Sequence, residues 1–214
     1  KKIAYIMTDG AALPLYLSMN VKNLKQKGLI DSTITIGNAF GGDYECINIY
    51  TGLITAKEIA KADVVFVSMG PGIAGTGTKY GFTGIEQGQI LDAVKKLGGN
   101  PIAIPRISFV DKRDRHQGIS HHSITVFDKI VNVDVNIPIT IYESQKLNKI
   151  KEQLKENKLD EKHNIIFVEN NKCKEDLEYF GLKVKSMGRN YDEDSEFFDS
   201  ASSAAYYLME VCHD

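Results

Sequence analysis

The sequence predicts an α/β protein with an open, mostly parallel sheet that is doubly wound in the Rossmann-like manner, with helices on both faces. Short apolar segments alternate with helical patterns from end to end, and most connections between them are short. The composition fits this class, because 43% hydrophobic and 25% charged residues are typical of a globular chain. No repeat or low-complexity segment marks a boundary, so we expect one α/β domain over residues 1–214.

The first elements are predicted from apolar patterns and from glycine positions. Residues 3–7 form a strand, and residues 13–27 form a helix that Gly28 ends, because glycine readily adopts the left-handed conformation that closes a helix. Residues 33–36 form a second strand, rich in β-branched side chains. A looser stretch then leads to a helix at about residues 54–61.

The middle of the chain continues the same alternation. Residues 64–69 form a strongly apolar strand. Residues 86–97 carry apolar side chains at helical spacing and are followed by Gly98, which predicts a helix and its end. Residues 102–104 form the next predicted strand.

The second half contains three predicted strands and two predicted helices. Residues 137–142 and 165–168 are apolar strands, and residues 182–185 a last short one. Residues 144–156 place apolar side chains at helical spacing between charged positions, which indicates an exposed amphipathic helix. Residues 195–212 form the final helix, whose alanines and aromatic side chains suit packing on a sheet.

Charge and hydropathy exclude several classes of protein. The formal net charge is −2, whereas a protein that binds duplex nucleic acid normally carries a basic face. The longest apolar runs are far shorter than a membrane span, and no signal-peptide pattern is present. Cys46, Cys173 and Cys212 lack CxxC spacing and indicate reduced thiols. We therefore expect a cytoplasmic protein that binds neither duplex nucleic acid nor membrane.

Unusual loops follow each of the first four predicted strands. They span residues 8–12, 37–43, 70–84 and 106–123. Ligands of open parallel sheets bind at the carboxyl ends of the strands, where these loops would lie together. The functional site is therefore expected within residues 1–125.

The loop at residues 70–84 is rich in glycine and threonine. Its glycines permit close backbone approach, so that successive N–H groups and threonine hydroxyls can converge on an oxyanion. A dinucleotide fingerprint is disfavoured because the loop is long before its helix, and no lysine stands where a P-loop requires one. The alternative is a flexible loop or lid. The candidate ligand-binding residues here are Gly70, Gly72, Gly75, Thr76, Gly77 and Thr78.

The loop at residues 106–123 concentrates cationic and titratable side chains. Its arginines suit oxyanions, and a histidine beside them can move a proton near neutral pH or bind a metal. In an extended segment the neighbours His121 and His122 would point to opposite sides, so His116 would pair with one of them. The alternative is a solvated surface loop. The candidates are Arg106, Arg113 and Arg115 as ligand-binding residues and His116, His121 and His122 as catalytic residues.

Asp9 is the best single carboxylate in the sequence. It follows the first predicted strand and precedes Gly10, so it could act as a base, a metal ligand or an acceptor for a sugar hydroxyl. Gly10 would let a ligand approach the backbone. The alternative role for Asp9, as a helix cap or turn residue, is nearly as well supported.

Three long motifs carry a resemblance to a known family. The segments "MTDGAALPL" (7–15), "MGPGIAGTGTKYGFTGIEQG" (69–88) and "PRISFVDKRDRHQGISHHS" (105–123) resemble the bacterial family catalogued as domain of unknown function 3866. The resemblance implies that this chain is the C-terminal part of a longer protein, which fits a start at Lys1. It brings no activity, substrate or catalytic residue, and so supports the choice of loops without their chemistry.

Three functions are compatible with these residues. The leading hypothesis is an enzyme, a hydrolase or transferase, that acts on a small anionic metabolite, phosphorylated or nucleotide-like, held by both loops. The second is a metal-dependent hydrolase that uses His116, His121 or His122, and Asp9, and therefore a divalent metal as cofactor. The third is a non-catalytic ligand sensor or interaction module. A homodimer is the default expectation for its assembly.

Overall fold

The computed structural model describes residues 1–10, 12–70, 72–169 and 172–211. The chain divides into two compact units, Lys1–Gly84 and Ile85–Asp214, called unit 1 and unit 2 below. Each unit contains its own strands and helices, so the protein is a mixed α/β structure. The single domain expected from the sequence stays a prediction.

Unit 1 is built on a four-stranded parallel sheet. Its strands are β1 (Ile3–Thr8), β2 (Ser32–Ile36), β3 (Tyr44–Cys46) and β4 (Val64–Met69), in the order β3-β2-β1-β4. The three strands predicted in this region are confirmed, with ends that differ by at most one residue. The sequence prediction missed β3, because three residues are too few for a pattern of alternating burial to stand out.

Two helical segments flank this sheet. The helix α1 (Met19–Gln26) follows a short 3-10 helix, Leu15–Leu17, and the Ser18 side chain between them accepts a hydrogen bond from the N–H of Val21. The single helix predicted at residues 13–27 is therefore two shorter segments, and Ser18 between them is the N-cap of the second. The helix α2 (Ile49–Ile54), continued by a wide π-helical turn at Thr55–Ile59, begins five residues before the predicted start because Asn48 and Thr51 form a capping box.

The two helical segments pack against opposite faces of the sheet. Alternate side chains of β1 point to opposite faces. Ala4 and Ile6 belong to a buried cluster that includes Ala56 and packs with side chains of α2, whereas Met7 clusters with Leu15 and Val21. Burial of both faces is what stabilises this parallel sheet.

Unit 2 contains two small sheets and six α-helices among its described residues. Strands β5 (Ile107–Ser108) and β6 (Gly118–Ile119) pair antiparallel, and β7 (Asn136–Thr140) and β8 (Asn164–Val168) pair parallel. Both strands of the parallel pair and the helices predicted at residues 86–97 and 144–156 are confirmed here. The helices are α3 (Glu86–Lys96), α4 (His121–Thr125, continued by a π-helical turn at Val126–Ile130), α5 (Ser144–Glu156), α6 (Leu159–Lys162), α7 (Cys173–Tyr179) and α8 (Ser195–Val211).

Two predicted strands are wrong. Of residues 102–104, Ile102 forms one isolated bridge with Asn136, because the flanking Pro101 and Pro105 cannot donate to a strand ladder. Residues 182–185 alternate apolar and basic side chains but pair with no strand among the described residues. The final helix is confirmed through Val211, and the predicted end at Cys212 lies outside the described residues.

The helix α8 is fixed to β7 by buried polar contacts. The Ser203 hydroxyl donates to the carbonyl of Pro138 at 3.0 Å, and the Thr140 hydroxyl donates to the carbonyl of Asp199 at 2.9 Å. Cys46 and Cys173 are free thiols. Within the ranges described, none of the helices has the length and apolar character needed to cross a membrane.

Candidate functional site

The carboxyl edge of the unit 1 sheet holds Asp9. Its Oδ2 accepts a hydrogen bond from Asn38 Nδ2 at 2.7 Å. Gly37 has a positive φ of 66°, and a Cβ at this position would lie 2.7 Å from the same oxygen. The other oxygen, Oδ1, is buried and has no hydrogen-bond partner among the described residues. The loop that follows β2 therefore fixes the Asp9 side chain through Gly37 and Asn38, and Oδ1 accepts no hydrogen bond from a described residue.

Gly10 and Gly70 follow the adjacent strands β1 and β4. A Cβ at Gly10 would lie 3.3 Å from the Cβ of Met69, and one at Gly70 would lie 2.7 Å from the sulfur of Met7. The backbone is thus closely packed against methionine side chains where these strands end. The loops at residues 8–12, 37–43 and 70–84 follow parallel strands of one sheet, so the prediction that they begin at the same edge is confirmed. Ala11 and Pro71, which belong to these loops, lie outside the described residues. The fourth loop follows no strand of this sheet and belongs to unit 2.

The glycine-rich loop folds back on itself. Gly75 and Phe82 form an antiparallel bridge, and the N–H of Thr83 donates to the carbonyl of Ala74 at 2.8 Å. Residues 72–80 are all exposed. At the tip Gly77 has a φ of 81°, a conformation that glycine adopts without strain.

The threonine hydroxyls of this loop hydrogen-bond within it. Thr76 Oγ1 donates to the carbonyl of Gly81 at 3.1 Å and lies 3.0 Å from Thr78 Oγ1. A Cβ at Gly81 would collide with both hydroxyls, whereas one at Gly72 would meet nothing within 4 Å. These bonds give the loop a defined shape. Its role as an oxyanion cradle stays a prediction.

The cationic loop of unit 2 is organised by Asp111. Its carboxylate accepts from the Arg113 backbone N–H at 3.0 Å and from the guanidinium Nε and Nη2 at 3.0 and 2.8 Å. These hydrogen bonds, against the opposing effect of burial, hold the pKa of Asp111 well below its usual range. Arg113 is therefore largely neutralised by its neighbour, whereas Arg115 is exposed.

The three histidines of this loop lie together. The ring centroids of His121 and His122 are 4.0 Å apart, and His116 lies 4.7 Å from the first and 5.7 Å from the second. The expectation that His121 and His122 point to opposite sides is wrong. The Ser120 side chain accepts a hydrogen bond from the N–H of His122 and is the N-cap of α4. Both histidines therefore lie in the first turn of this helix.

The histidines are neutral at physiological pH. Burial, followed by the charges of Arg113 and His121, lowers the pKa of His116 to about 4, and burial and His121 do the same for His122. Burial also lowers the pKa of His121. A carbonyl only accepts, so His121 Nδ1, 3.2 Å from the Arg115 carbonyl, carries the proton and Nε2 is the basic nitrogen.

Arg106 lies beside these rings, and its charge contributes to the lowered pKa of His116 and His122. Its backbone is fixed, because its N–H donates to Ser123 Oγ at 3.0 Å and its carbonyl accepts from the Ser120 N–H at 2.8 Å. The guanidinium makes no ion pair with any described residue. Burial lowers the pKa of Arg106, against the opposing charges of Asp111 and Asp194, and the charges of Arg189 and Arg113 add to the lowering.

Sequence reasoning missed a buried polar group next to Arg106. Asp194 is 1% exposed and accepts from Ser108 Oγ at 2.8 Å and from Arg189 Nε at 3.1 Å. Nothing local in the sequence predicts a pair that is 86 positions apart. The available signal is that Arg189 is the one arginine of this chain outside the cationic loop and its flank.

The metal hypothesis has no preformed cluster to support it. Among the residues that the structure describes, no three His, Cys, Asp or Glu side chains are arranged to hold one metal ion. The candidate ligand Asp9 belongs to unit 1 and the histidines belong to unit 2. A metal therefore stays a prediction.

Comparison with known proteins identifies the family. No curated protein matches the chain, and no solved structure matches it. The family model described as "Protein of unknown function (DUF3866)" matches residues 1–205, which is nearly the whole sequence and includes all the loops described above. The chain therefore belongs to the DUF3866 family.

Proposed function

We propose that this protein is an enzyme that acts on a small anionic metabolite, phosphorylated or nucleotide-like, and that unit 2 carries the chemistry. The proposal rests on the histidine–arginine cluster, formed by Arg106, His116, His121 and His122. Its main support is that three imidazoles lie within 5.7 Å of one another and that two of them feel the charge of Arg106, a guanidinium that no described carboxylate pairs. Such a combination is typical of sites where an anion is bound and a proton is moved.

Each member of the cluster has a distinct role in this proposal. Arg106 binds the anion, because guanidinium groups match oxyanions and this one forms no ion pair with a described carboxylate. His121 is the general base, because its Nδ1 bonds the Arg115 carbonyl and its Nε2 is unprotonated. His116, anchored 3.0 Å from Ser120 Oγ, positions the neighbouring rings.

The arrival of the anion makes the bases stronger. Burial lowers the pKa of His121, which makes it a weaker base at neutral pH than an ordinary histidine. Catalysis by a general base is most efficient when its pKa lies near the operating pH. A bound negative charge favours the imidazolium form and raises the pKa of each nearby ring. The proposed site thus acquires its basicity when the substrate binds.

The same low pKa values favour a second candidate, a non-catalytic sensor. In the absence of bound anion the rings are weak bases, which suits recognition as well as catalysis. A sensor would bind its ligand with a change in histidine protonation and without turnover. This alternative belongs to a different class of protein and makes a different prediction.

The finer fold assignment belongs to the same proposal. We infer that unit 1 is Rossmann-like and doubly wound, with the order β3-β2-β1-β4 of half such a sheet. The connections diverge between β1 and β4, which is where these folds bind ligands. Gly10, Gly70 and the glycine-rich loop lie at that edge of unit 1, which supports an anion-binding role for them.

A ligand screen followed by paired variants tests the proposal. Thermal unfolding is measured with nucleotides, sugar phosphates and carboxylates, with and without Mg²⁺, Mn²⁺ and Zn²⁺. A ligand at one hundred times its Kd adds about 2.7 kcal/mol to the free energy of unfolding. Arg106→Gln should abolish the shift, whereas Lys112→Ala, which removes an exposed charge from the same loop, should retain it.

Turnover then separates the candidate functions. For the enzyme, His121→Gln removes turnover of the identified ligand and leaves its Kd within about threefold. Binding without turnover in the wild-type protein supports the sensor. Stoichiometric metal in untagged protein, with turnover that a chelator removes, supports the metal-dependent hydrolase. If Lys112→Ala abolishes ligand binding and Arg106→Gln does not, the proposed site is contradicted.

A further inference from the structure

A tight turn in unit 2 brings two residues to the Arg106 region. Ser186 and Arg189 exchange backbone hydrogen bonds at 2.8 and 3.0 Å, and the two residues between them, Met187 and Gly188, have φ values of 50° and 83°. The left-handed conformation is ordinary for Gly188 but unfavourable for a methionine. Strained residues of this kind persist where the surrounding structure holds them, often at binding sites.

This turn is anchored by Asp194. The Arg189 Nε donates to Asp194 Oδ2 at 3.1 Å, and the other carboxylate oxygen accepts from Ser108 Oγ. Ser108 lies on β5, two residues after Arg106. The buried carboxylate therefore ties the turn to the strand that follows Arg106 and fixes the two arginines in the same region.

The donors of the two guanidinium groups are poorly matched. Arg106 Nη2 lies 3.4 Å from the sulfur of Met187, which is a weak acceptor. Arg189 Nη2 is buried and has no hydrogen-bond partner among the described residues. A buried donor without a partner is costly, so such atoms in a native structure usually mark a missing group.

The charges show the same deficit. Arg106 and Arg189 contribute two positive charges, and Asp194 contributes one negative charge. Arg113 and Asp111 form their own pair and add no net charge. The positive charges of Arg106 and Arg189 repel each other, and the Asp194 carboxylate offsets only one of the two.

We propose that an oxyanion, a phosphoryl or carboxylate group, binds between Arg106 and Arg189 and replaces the Met187 sulfur as the partner of Arg106. This subsite deepens the proposed function and rests on it, because it names the group of the substrate that the site recognises. Met187 is 67% exposed, so its side chain can turn into solvent and release Arg106 Nη2 to the anion. Charge-assisted hydrogen bonds to an oxyanion are about twice as strong as neutral ones, which favours the exchange.

The test uses inorganic phosphate and acetate as probes with the full chain. Binding is measured by isothermal titration calorimetry for the wild-type protein, Met187→Asp and Met187→Asn. Both substitutions tolerate a left-handed φ, and they differ by one charge. The carboxylate of Met187→Asp should occupy Arg106 and weaken phosphate binding at least tenfold, while Met187→Asn should bind within threefold of the wild-type protein. Tighter binding of phosphate than of acetate assigns a phosphoryl group, and the reverse assigns a carboxylate.

A second variant tests the other arginine. Arg189→Gln should reduce phosphate affinity at least tenfold, with Lys112→Ala as the control for a general loss of positive charge. Equal affinity of Met187→Asp and Met187→Asn, or no binding of either probe to the wild-type protein at millimolar concentration, would overturn the subsite. The subsite stands if phosphate binding follows these variants without any turnover, in which case the enzymatic proposal fails. If turnover requires His121 but is unchanged by Met187→Asp, the enzymatic proposal stands and the subsite fails.

Discussion

The hydroxyl of Ser108 donates to Asp194 Oδ1 at 2.8 Å although the two residues are 86 positions apart in the sequence, and both are buried. This bond joins a two-residue strand to the segment before the last helix. Because the acceptor is a buried carboxylate, loss of the donor leaves a charge with one hydrogen bond fewer in a region of low dielectric. The pair is therefore a structural anchor whose removal should be measurable.

We expect Ser108→Ala to lower the free energy of unfolding by about 1.5–3 kcal/mol, the usual range for a hydrogen bond to a charged group. Urea denaturation measures it. Ser68→Ala provides the control, since that hydroxyl is exposed and, among the described residues, bonds only to the carbonyl of the next residue, Met69, at 3.1 Å. The control should change stability by less than about 0.5 kcal/mol. Equal effects of the two substitutions would contradict the anchoring role.

The histidine cluster should make stability fall as the pH is lowered from about 6.5 to 4. The pKa values of His116 and His122 lie near 4 in the folded state, below the value of an unfolded histidine. The unfolded chain therefore binds more protons in this window, and protons favour unfolding. The lowered pKa of Asp111 acts in a different window, because its effect begins below the unfolded value near 4.

Nuclear magnetic resonance titration of the imidazole signals checks this directly, and His116→Gln should flatten the dependence of the melting temperature on pH in the same window. We expect two imidazole signals, those of His116 and His122, each to titrate with a pKa near 4. Titration of all three rings near 6.5 would contradict the packing of the cluster.

Gly37 provides a test of how tightly Asp9 is held. Both Gly37 and Gly28 have positive φ, at 66° and 68°, but a Cβ at Gly28 would meet nothing within 4 Å, while one at Gly37 would contact the Asp9 carboxylate. Alanine at Gly28 should cost about 1 kcal/mol of unfolding free energy for the left-handed conformation. Gly37→Ala should cost roughly 1–3 kcal/mol more, in the range of overpacked sites.

A double substitution separates the two causes at Gly37. The excess over Gly28→Ala comes from the clash with Asp9, whose Cβ and carboxylate would both lie within 3.0 Å of the new methyl group. It should therefore largely disappear in Gly37→Ala combined with Asp9→Gly, measured against Asp9→Gly as the reference. If the excess persists without the carboxylate, the left-handed backbone rather than the contact is responsible.

The parts of the fold that the sequence predicts are those with strong local patterns. β1 and β4 are largely apolar runs, β2 is rich in β-branched side chains, and α5 repeats its apolar side chains at helical spacing. β3 and the hairpin of β5 and β6 have two or three residues each, too few for a period to be recognised. The strand expected at residues 102–104 has apolar side chains but no ladder, because pairing is a tertiary property that local propensity does not fix.

The candidate site divides in the same way. The loop at residues 106–123 could be identified from the sequence, because most of the histidines and arginines of the chain lie within it. The placement of His121 and His122 on one turn was open to prediction, because Ser120 is a favoured helix N-cap. Arg189 and Asp194 bond to each other locally, but nothing nearby in the sequence indicates that Asp194 joins this region through its long-range bond with Ser108.

The glycine-rich loop supplies the last prediction, through Gly81 and Gly72. Gly81→Ala should open the loop, because the new methyl group would collide with the hydroxyls of Thr76 and Thr78 and break the bond from Thr76 to the Gly81 carbonyl. Gly72→Ala has open space and should leave the loop intact, within about 0.5 kcal/mol of the wild-type stability. Limited proteolysis across residues 72–80 measures the difference. Faster cleavage of the Gly81 variant together with loss of the ligand-induced thermal shift would support the loop as an anion cradle, whereas faster cleavage with an unchanged shift would assign it a structural role alone.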